Sequence, residues 1–211
     1  MAPRAYNNET RQQQQAGLKA RIASAAAQLH AAKGVLATSY AEIAQSAGVS
    51  LPTVYKHFPS LDELVHACSG HVRQRAPAFS VEQILAAPDL AAAAEMLVAA
   101  TDRLNAYLDP WLAWREQGRI PVLTKAAAAQ RKQLTALCAQ LLTRHCAPGD
   151  CRASAAVWES LLHFEPWHRM VHDHKLSRAT VRRTLVHLLL AVTGPQPAAF
   201  SLQRPTRRKS A

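Results

Sequence analysis

The chain has 211 residues, enough for one substantial core or for a small domain beside a larger one. Alanine dominates, only 7 residues are Gly and no segment alternates with period two, so an all-α fold is expected; no run approaches the ~18 apolar residues of a membrane span. The formal charge of +11 gathers at the ends, with six Lys/Arg against two Asp/Glu in residues 1–60, nine of each in 61–150 and ten against three in 151–211, which fits a polyanionic partner.

Residues 1–10 are expected to be disordered. Leu18, Ile22, Ala25 or Ala26, and Leu29 recur at spacings of three and four, predicting a first helix from after Thr10 to about Ala32, with Gly34 as its stop. Ser39 and Glu42 form a capping box that opens a second helix, whose buried face carries Ile43 and Ala47. Gly48 supplies the left-handed residue that ends it, and Val49 plugs the space beneath the turn. Ser50 caps a third helix with Pro52 in its first turn, where a missing N–H is harmless. Val54 and Phe58 then point inward, while Thr53, Tyr55, Lys56 and His57 face outward or sideways. Pro59 stops this helix and a second capping box, Ser60 to Glu63, starts a fourth, running from about Leu61 to Arg75.

Two short helices joined at a Gly turn have the geometry that seats a helix in a DNA major groove. On that reading Tyr55 and His57 contact phosphate or groove, and Lys56 neutralises a phosphate or reaches a guanine. Thr53 bonds back to the cap or reaches DNA through its hydroxyl, and Leu51 and Pro52 touch a thymine methyl. Thr38 and Ser39, with the free amides of the second helix, make an anion site suited to a backbone phosphate.

The run Ala47-Gly48-Val49-Ser50-x-x-Thr53-Val54-Tyr55-x-His57-Phe58-Pro59-Ser60-x-x-Glu63-Leu64 resembles the N-terminal DNA-binding domain of TetR-type (TetR/AcrR) transcriptional repressors, over about Ile22 to Leu64. Position 61 is often Lys in that family, where it supports the recognition helix and reaches a phosphate. Here it is Leu61, so the resemblance implies a phosphate contact that is missing or supplied by another residue.

Beyond Pro77 a larger helical part is expected: a helix over Pro88 to Tyr107, a shorter one over Asp109 to Gln117, and a long one from Pro121 through Cys146. Asp150 or Ser154 starts the next, which carries Val157, Trp158, Leu161, Leu162 and Phe164, and Pro166 kinks or splits it before Trp167 to His174. Ser177 caps the final helix, with Val181, Leu185, Leu188, Leu189 and Val192 on one side. Residues 195–211 are Pro-rich, then basic, and are expected to be a disordered tail. The domains expected are thus a helix-turn-helix domain over 11–60 and an effector-binding and dimerisation domain over 61–194. The resemblance implies that the last two helices pair with the same two of a second subunit in a four-helix bundle.

Trp111, Trp114, Trp158, Phe164 and Trp167 are candidate walls of an effector pocket, although core packing explains them more readily. His168 and His172 stand at i and i+4, a spacing that can hold a metal. The nearby acids Glu165 and Asp173 do not complete an H-E-x-x-H pattern, and no metal, cofactor or catalytic residue is assigned. The four cysteines show no C-x-x-C pair and read as packing residues or inert thiols. The first residues lack the apolar core of a signal peptide, so a cytoplasmic location is expected. The chain is therefore expected to be a homodimeric repressor, released from a palindromic double-stranded DNA operator by a small-molecule effector. The alternatives are a ligand-independent architectural DNA-binding protein and a helical metal-dependent enzyme built on His163 to His174.

Overall fold

The computed structural model describes residues 8–146 and 151–193. They form ten α-helices and one π-helical turn, with no strand among the described residues: α1 Asn8–Lys33, α2 Tyr40–Ala47, α3 Leu51–His57, α4 Leu61–Arg73, α5 Val81–Leu85, α6 Leu90–Leu112, α7 Pro121–His145, α8 Arg152–Leu162, α9 Phe164–His168, the π-turn Arg169–Asp173, and α10 Arg178–Ala191. The all-α expectation therefore holds. No described helix is long and apolar enough to cross a membrane.

Two cores organise these helices. The first joins α1 to α4 through Ile22, Ala26, Ile43, Val54, Phe58, Leu64 and Cys68, with Tyr107, Leu108 and Trp111 of α6 packed against its edge. The second joins α5 to α10 around Leu97, Leu141, Trp158, Leu162, Trp167, Leu185 and Leu189. A small third cluster of Val35, Val65 and Ile120 bridges them. Burying a large aliphatic or aromatic side chain contributes about 1.5–3 kcal/mol, so both cores offset substantial chain entropy.

Inside the second core a carboxylate anchors α9 and α10 to α6. Asp102 accepts hydrogen bonds from the Trp167 indole at 2.8 Å and from the Arg178 guanidinium at 3.1 and 2.7 Å. Burial alone would push this carboxyl up, but the Arg178 and Trp167 hydrogen bonds, with the charges of Arg178 and Arg182, outweigh it and hold Asp102 below the usual range.

Several boundaries differ from expectation. α1 already runs from Asn8, because no Gly or Pro interrupts the polar residues before Gln12; residues 1–7 and the expected tail lie outside the described residues. α5 is an unforeseen single turn, opened by Ser80 accepting from the Gln83 N–H and held by buried Ile84. The helix expected to end at Tyr107 instead runs unbroken through Leu112 with Pro110 inside it. Tyr107 and Trp111 on either side are bonded to α4 and α1, and these contacts hold the backbone helical across the missing N–H. The split expected at Pro166 falls three residues earlier, at extended His163. Pro166 cannot donate to the Leu162 carbonyl, which accepts from the Asn105 side chain at 3.4 Å instead.

Candidate nucleic-acid interface

The turn between α2 and α3 is fixed by local chemistry. Gly48 adopts φ 63°, the left-handed conformation, and its N–H and that of Val49 return to the carbonyls of Gln45 and Ala44. Ser50 opens α3: its Oγ accepts from the Thr53 N–H at 3.4 Å and lies 2.8 Å from Thr53 Oγ1. Val54 and Phe58 are buried against α1 and α4. That pinning turns Leu51, Pro52, Tyr55 and Lys56 to solvent, with Thr53 and His57 half-buried at the edges. The six residues expected to contact DNA from α3 thus share one short helix, and Thr53 spends part of its bonding capacity on the cap.

Tyr40, which the sequence reading passed over, shapes this face. Its ring lies 4.7 Å from that of Tyr55 at a 38° tilt, and it backs the most exposed aromatic of α3, Tyr55 at 52% exposure. The Tyr40 hydroxyl is buried without a partner among the described residues, and burial, then Tyr55 and Glu63, push it up.

The anion site expected at Thr38 and Ser39 is partly filled. The Thr38 hydroxyl donates to the Gly34 carbonyl at 2.7 Å. Glu42 Oε2 accepts from the Ser39 N–H at 2.9 Å and from the Ser39 hydroxyl at 2.8 Å. Lys33 donates to the other oxygen. This hydrogen bond from Lys33, followed by those from Ser39, pulls the Glu42 carboxyl down to about 2. The start of α2 therefore already carries a carboxylate, and a phosphate would have to share it with Lys33 nearby.

The end of α6 and the residues after it tie the second core to α1, α4 and the α1–α2 loop. The Trp111 indole donates to the Ala27 carbonyl at 2.8 Å, the Trp114 indole to Ala31 at 3.1 Å, and the Tyr107 hydroxyl to Val72 at 2.8 Å. Just beyond α6, Glu116 accepts from the Val35 N–H at 2.6 Å and the Leu36 N–H at 3.0 Å. Gly34 makes this approach possible: it has φ 85°, and a Cβ there would stand 2.9 Å from Glu116 Oε1. Beneath the loop His30 is 2% exposed, with Nδ1 3.4 Å from Cys68 Sγ. Burial lowers His30 to about 4, with Glu116 acting in the opposite sense.

The five aromatics expected to line an effector pocket are thus not brought together. Trp111 of α6 and Trp114 just beyond it bond to α1, whereas Trp158, Phe164 and Trp167 are buried in the second core. The Trp158 indole donates to the Leu189 carbonyl at 2.9 Å. These side chains serve packing, and the indole N–H groups are already satisfied. Burial pushes the Cys68 thiol up to about 11 and the Cys138 thiol up to about 12, in line with inert packing cysteines.

Residues 22–68 match the family described as bacterial regulatory proteins, tetR family. A comparison with curated protein sequences finds no match. Among solved structures the chain is similar to NalD of Pseudomonas aeruginosa, the secondary repressor of the MexAB-OprM multidrug efflux pump, at 22% identity and a TM-score of 0.63, covering 83% of this chain and 95% of that one. A candidate TetR-family transcriptional regulator from Mesorhizobium loti is 25% identical with a TM-score of 0.58, over 84% and 96% of the two chains. A TetR-like transcriptional regulator from Rhodococcus sp. is 21% identical with a TM-score of 0.62, over 92% and 100%.

Proposed function

We propose that this chain, a member of the tetR family of bacterial regulatory proteins, acts as a homodimeric repressor that leaves a palindromic operator when a small molecule binds its C-terminal part. The observation that carries the reading is the exposed face of α3: Leu51, Pro52, Tyr55 and Lys56, flanked by Thr53 and His57, on a helix pinned by buried Val54 and Phe58. Hydroxyl, cationic and apolar groups on one short helix match what base edges and phosphates offer. Seven residues supply few base contacts, so two copies on a two-fold site add their contributions and set the half-site spacing.

The outer faces of α8 and α10 support a dimer. Val157 and Leu188 are 40% and 39% exposed, with Leu161, Val186 and Leu190 half-buried beside them. Pairing these helices with their counterparts in a second copy would bury that apolar surface.

For release, the lever is the end of α6 and its loop, where Tyr107, Trp111, Trp114 and Glu116 bond to α1, α4 and the α1–α2 loop. An effector that prefers one setting of α6 shifts the spacing between the two copies of α3, and operator affinity falls with that preference. A ligand that binds both settings equally changes nothing.

Fluorescence anisotropy tests the reading, using the full chain and the DNA upstream of its own reading frame. Sub-micromolar binding that survives scrambled competitor and is lost in Tyr55→Ala is expected. Equal binding to scrambled DNA would instead leave only a charge-driven association.

A further inference from the structure

Near the C-terminal end of α6, one carboxylate faces two histidines. Asp109 Oδ1 lies 2.7 Å from His168 Nδ1, and Asp109 Oδ2 lies 2.9 Å from His172 Nε2. The two imidazole rings are 4.4 Å apart, so both nitrogens turn toward the same carboxylate. Their backbone is unusual: His168 ends α9, and His172 lies in the π-turn Arg169–Asp173, closed by the His174 N–H donating to the Arg169 carbonyl at 2.9 Å. Such wide turns are rare and recur at functional sites. The neighbouring charges are already paired, Arg115 with Glu165 at 3.6 Å and Arg169 with Asp173 at 3.8 Å.

We propose that Asp109, His168 and His172 bind one divalent transition-metal ion of the zinc class. One ligand atom from each residue lies within 4.8 Å of the other two. A tetrahedral ion with ligands at about 2.1 Å sets them about 3.4 Å apart. His168 and His172 contact different oxygens of Asp109, so the carboxylate turns to offer one of them as the bridging protons leave, and the histidine nitrogens converge on the ion from within 4.8 Å. Two imidazoles and a carboxylate are the donor set that zinc, cobalt(II) and nickel(II) accept. His168 is 14% exposed at its side chain and Asp109 22%, while His172 at 43% borders solvent. The fourth position thus opens to water on the His172 side. The Phe164 and Trp167 rings, 5.1 Å from His168 and 6.1 Å from His172, wall the inner side.

The site would tie α9 to the stretch of α6 that carries Tyr107 and Trp111. Metal binding stands or falls independently of any DNA binding.

The test is a cobalt(II) titration of the full, reduced chain, followed by its visible absorption. The expected result is a ligand-field band that saturates at one ion per chain, is bleached by zinc, and weakens by more than about tenfold in affinity in both His172→Ala and Asp109→Asn. His172 is partly exposed, so its variant is expected to keep the wild-type circular dichroism; Asp109→Asn keeps the side-chain shape. No band at millimolar cobalt, a band unchanged in both variants, or an intense sulfur charge-transfer band showing cysteine ligands would each overturn the proposal.

Discussion

Glu116→Ala is the substitution that most sharply probes how the two cores are joined. The carboxylate accepts the Val35 N–H at 2.6 Å and the Leu36 N–H at 3.0 Å, across 81 and 80 residues of sequence. Val35 is 9% exposed, so its amide loses its acceptor in a buried place, at a cost of about 1–3 kcal/mol. Leu36 is 42% exposed, and water replaces most of what its amide loses. The expected loss is therefore about 2 kcal/mol, large against a typical net stability of about 5–15 kcal/mol. Gly34→Ala approaches the same contact from the other side. Its φ of 85° is costly for any Cβ, and the new methyl would stand 2.9 Å from Glu116 Oε1. The double variant is expected to be less damaging than the two losses added, because removing the carboxylate also removes the clash. Urea unfolding gives the stabilities, and amide hydrogen exchange at Val35 and Leu36 reports the loop directly. A stability change under about 0.5 kcal/mol with unaltered protection of both amides would refute the reasoning.

Other expectations follow from single groups. His30 has a folded value of about 4 against 6.5 for an ordinary histidine, so the unfolded chain binds the extra proton between these values. Stability should fall as pH drops from 6.5 to 4, by up to about 3 kcal/mol, and His30→Gln should flatten that slope in urea midpoints measured at successive pH values. Asp102→Ala leaves the buried Trp167 indole N–H without its acceptor and frees Arg178. A loss of about 2–3 kcal/mol is expected from chemical unfolding, and a loss under 1 kcal/mol would mean that water replaces the carboxylate. Lys56→Ala should weaken DNA binding nearly uniformly across sequences and lower the salt slope by about one, as read from anisotropy at several salt concentrations.

What was legible in the sequence is what is decided within four or five residues. The Ser39–Glu42 box, the left-handed Gly48, the Ser50, Ser60 and Ser177 caps and the stop at Gly34 all stand where local chemistry put them. The outward set on α3 followed from the same periodicity that buried Val54 and Phe58. Contacts between distant elements left no such trace. The helix expected to end at Tyr107 continues through Pro110 to Leu112, where Tyr107 and Trp111 hold it by bonds to α4 and α1. The five aromatics are candidates for a pocket or for packing; composition could not separate the two that bond to α1 from the three that fill the second core. The pair His168 and His172 was visible as a spacing, but its third partner, Asp109, comes from a helix about sixty residues earlier. Tyr40 and the Ser80 cap of α5 were omissions that local reasoning could have avoided: Tyr40 stands at the first turn of α2 beside the capping box, and Ser80 accepts from the N–H three residues on.

The central claim, a two-fold reader of DNA sequence, is tested most directly by selection from a random duplex library with the full chain at physiological salt. The account predicts an enriched pseudo-palindrome whose half-sites are related by two-fold symmetry, and whose enrichment disappears in Tyr55→Ala. A library that binds without enrichment, or a motif indifferent to Tyr55, would contradict it.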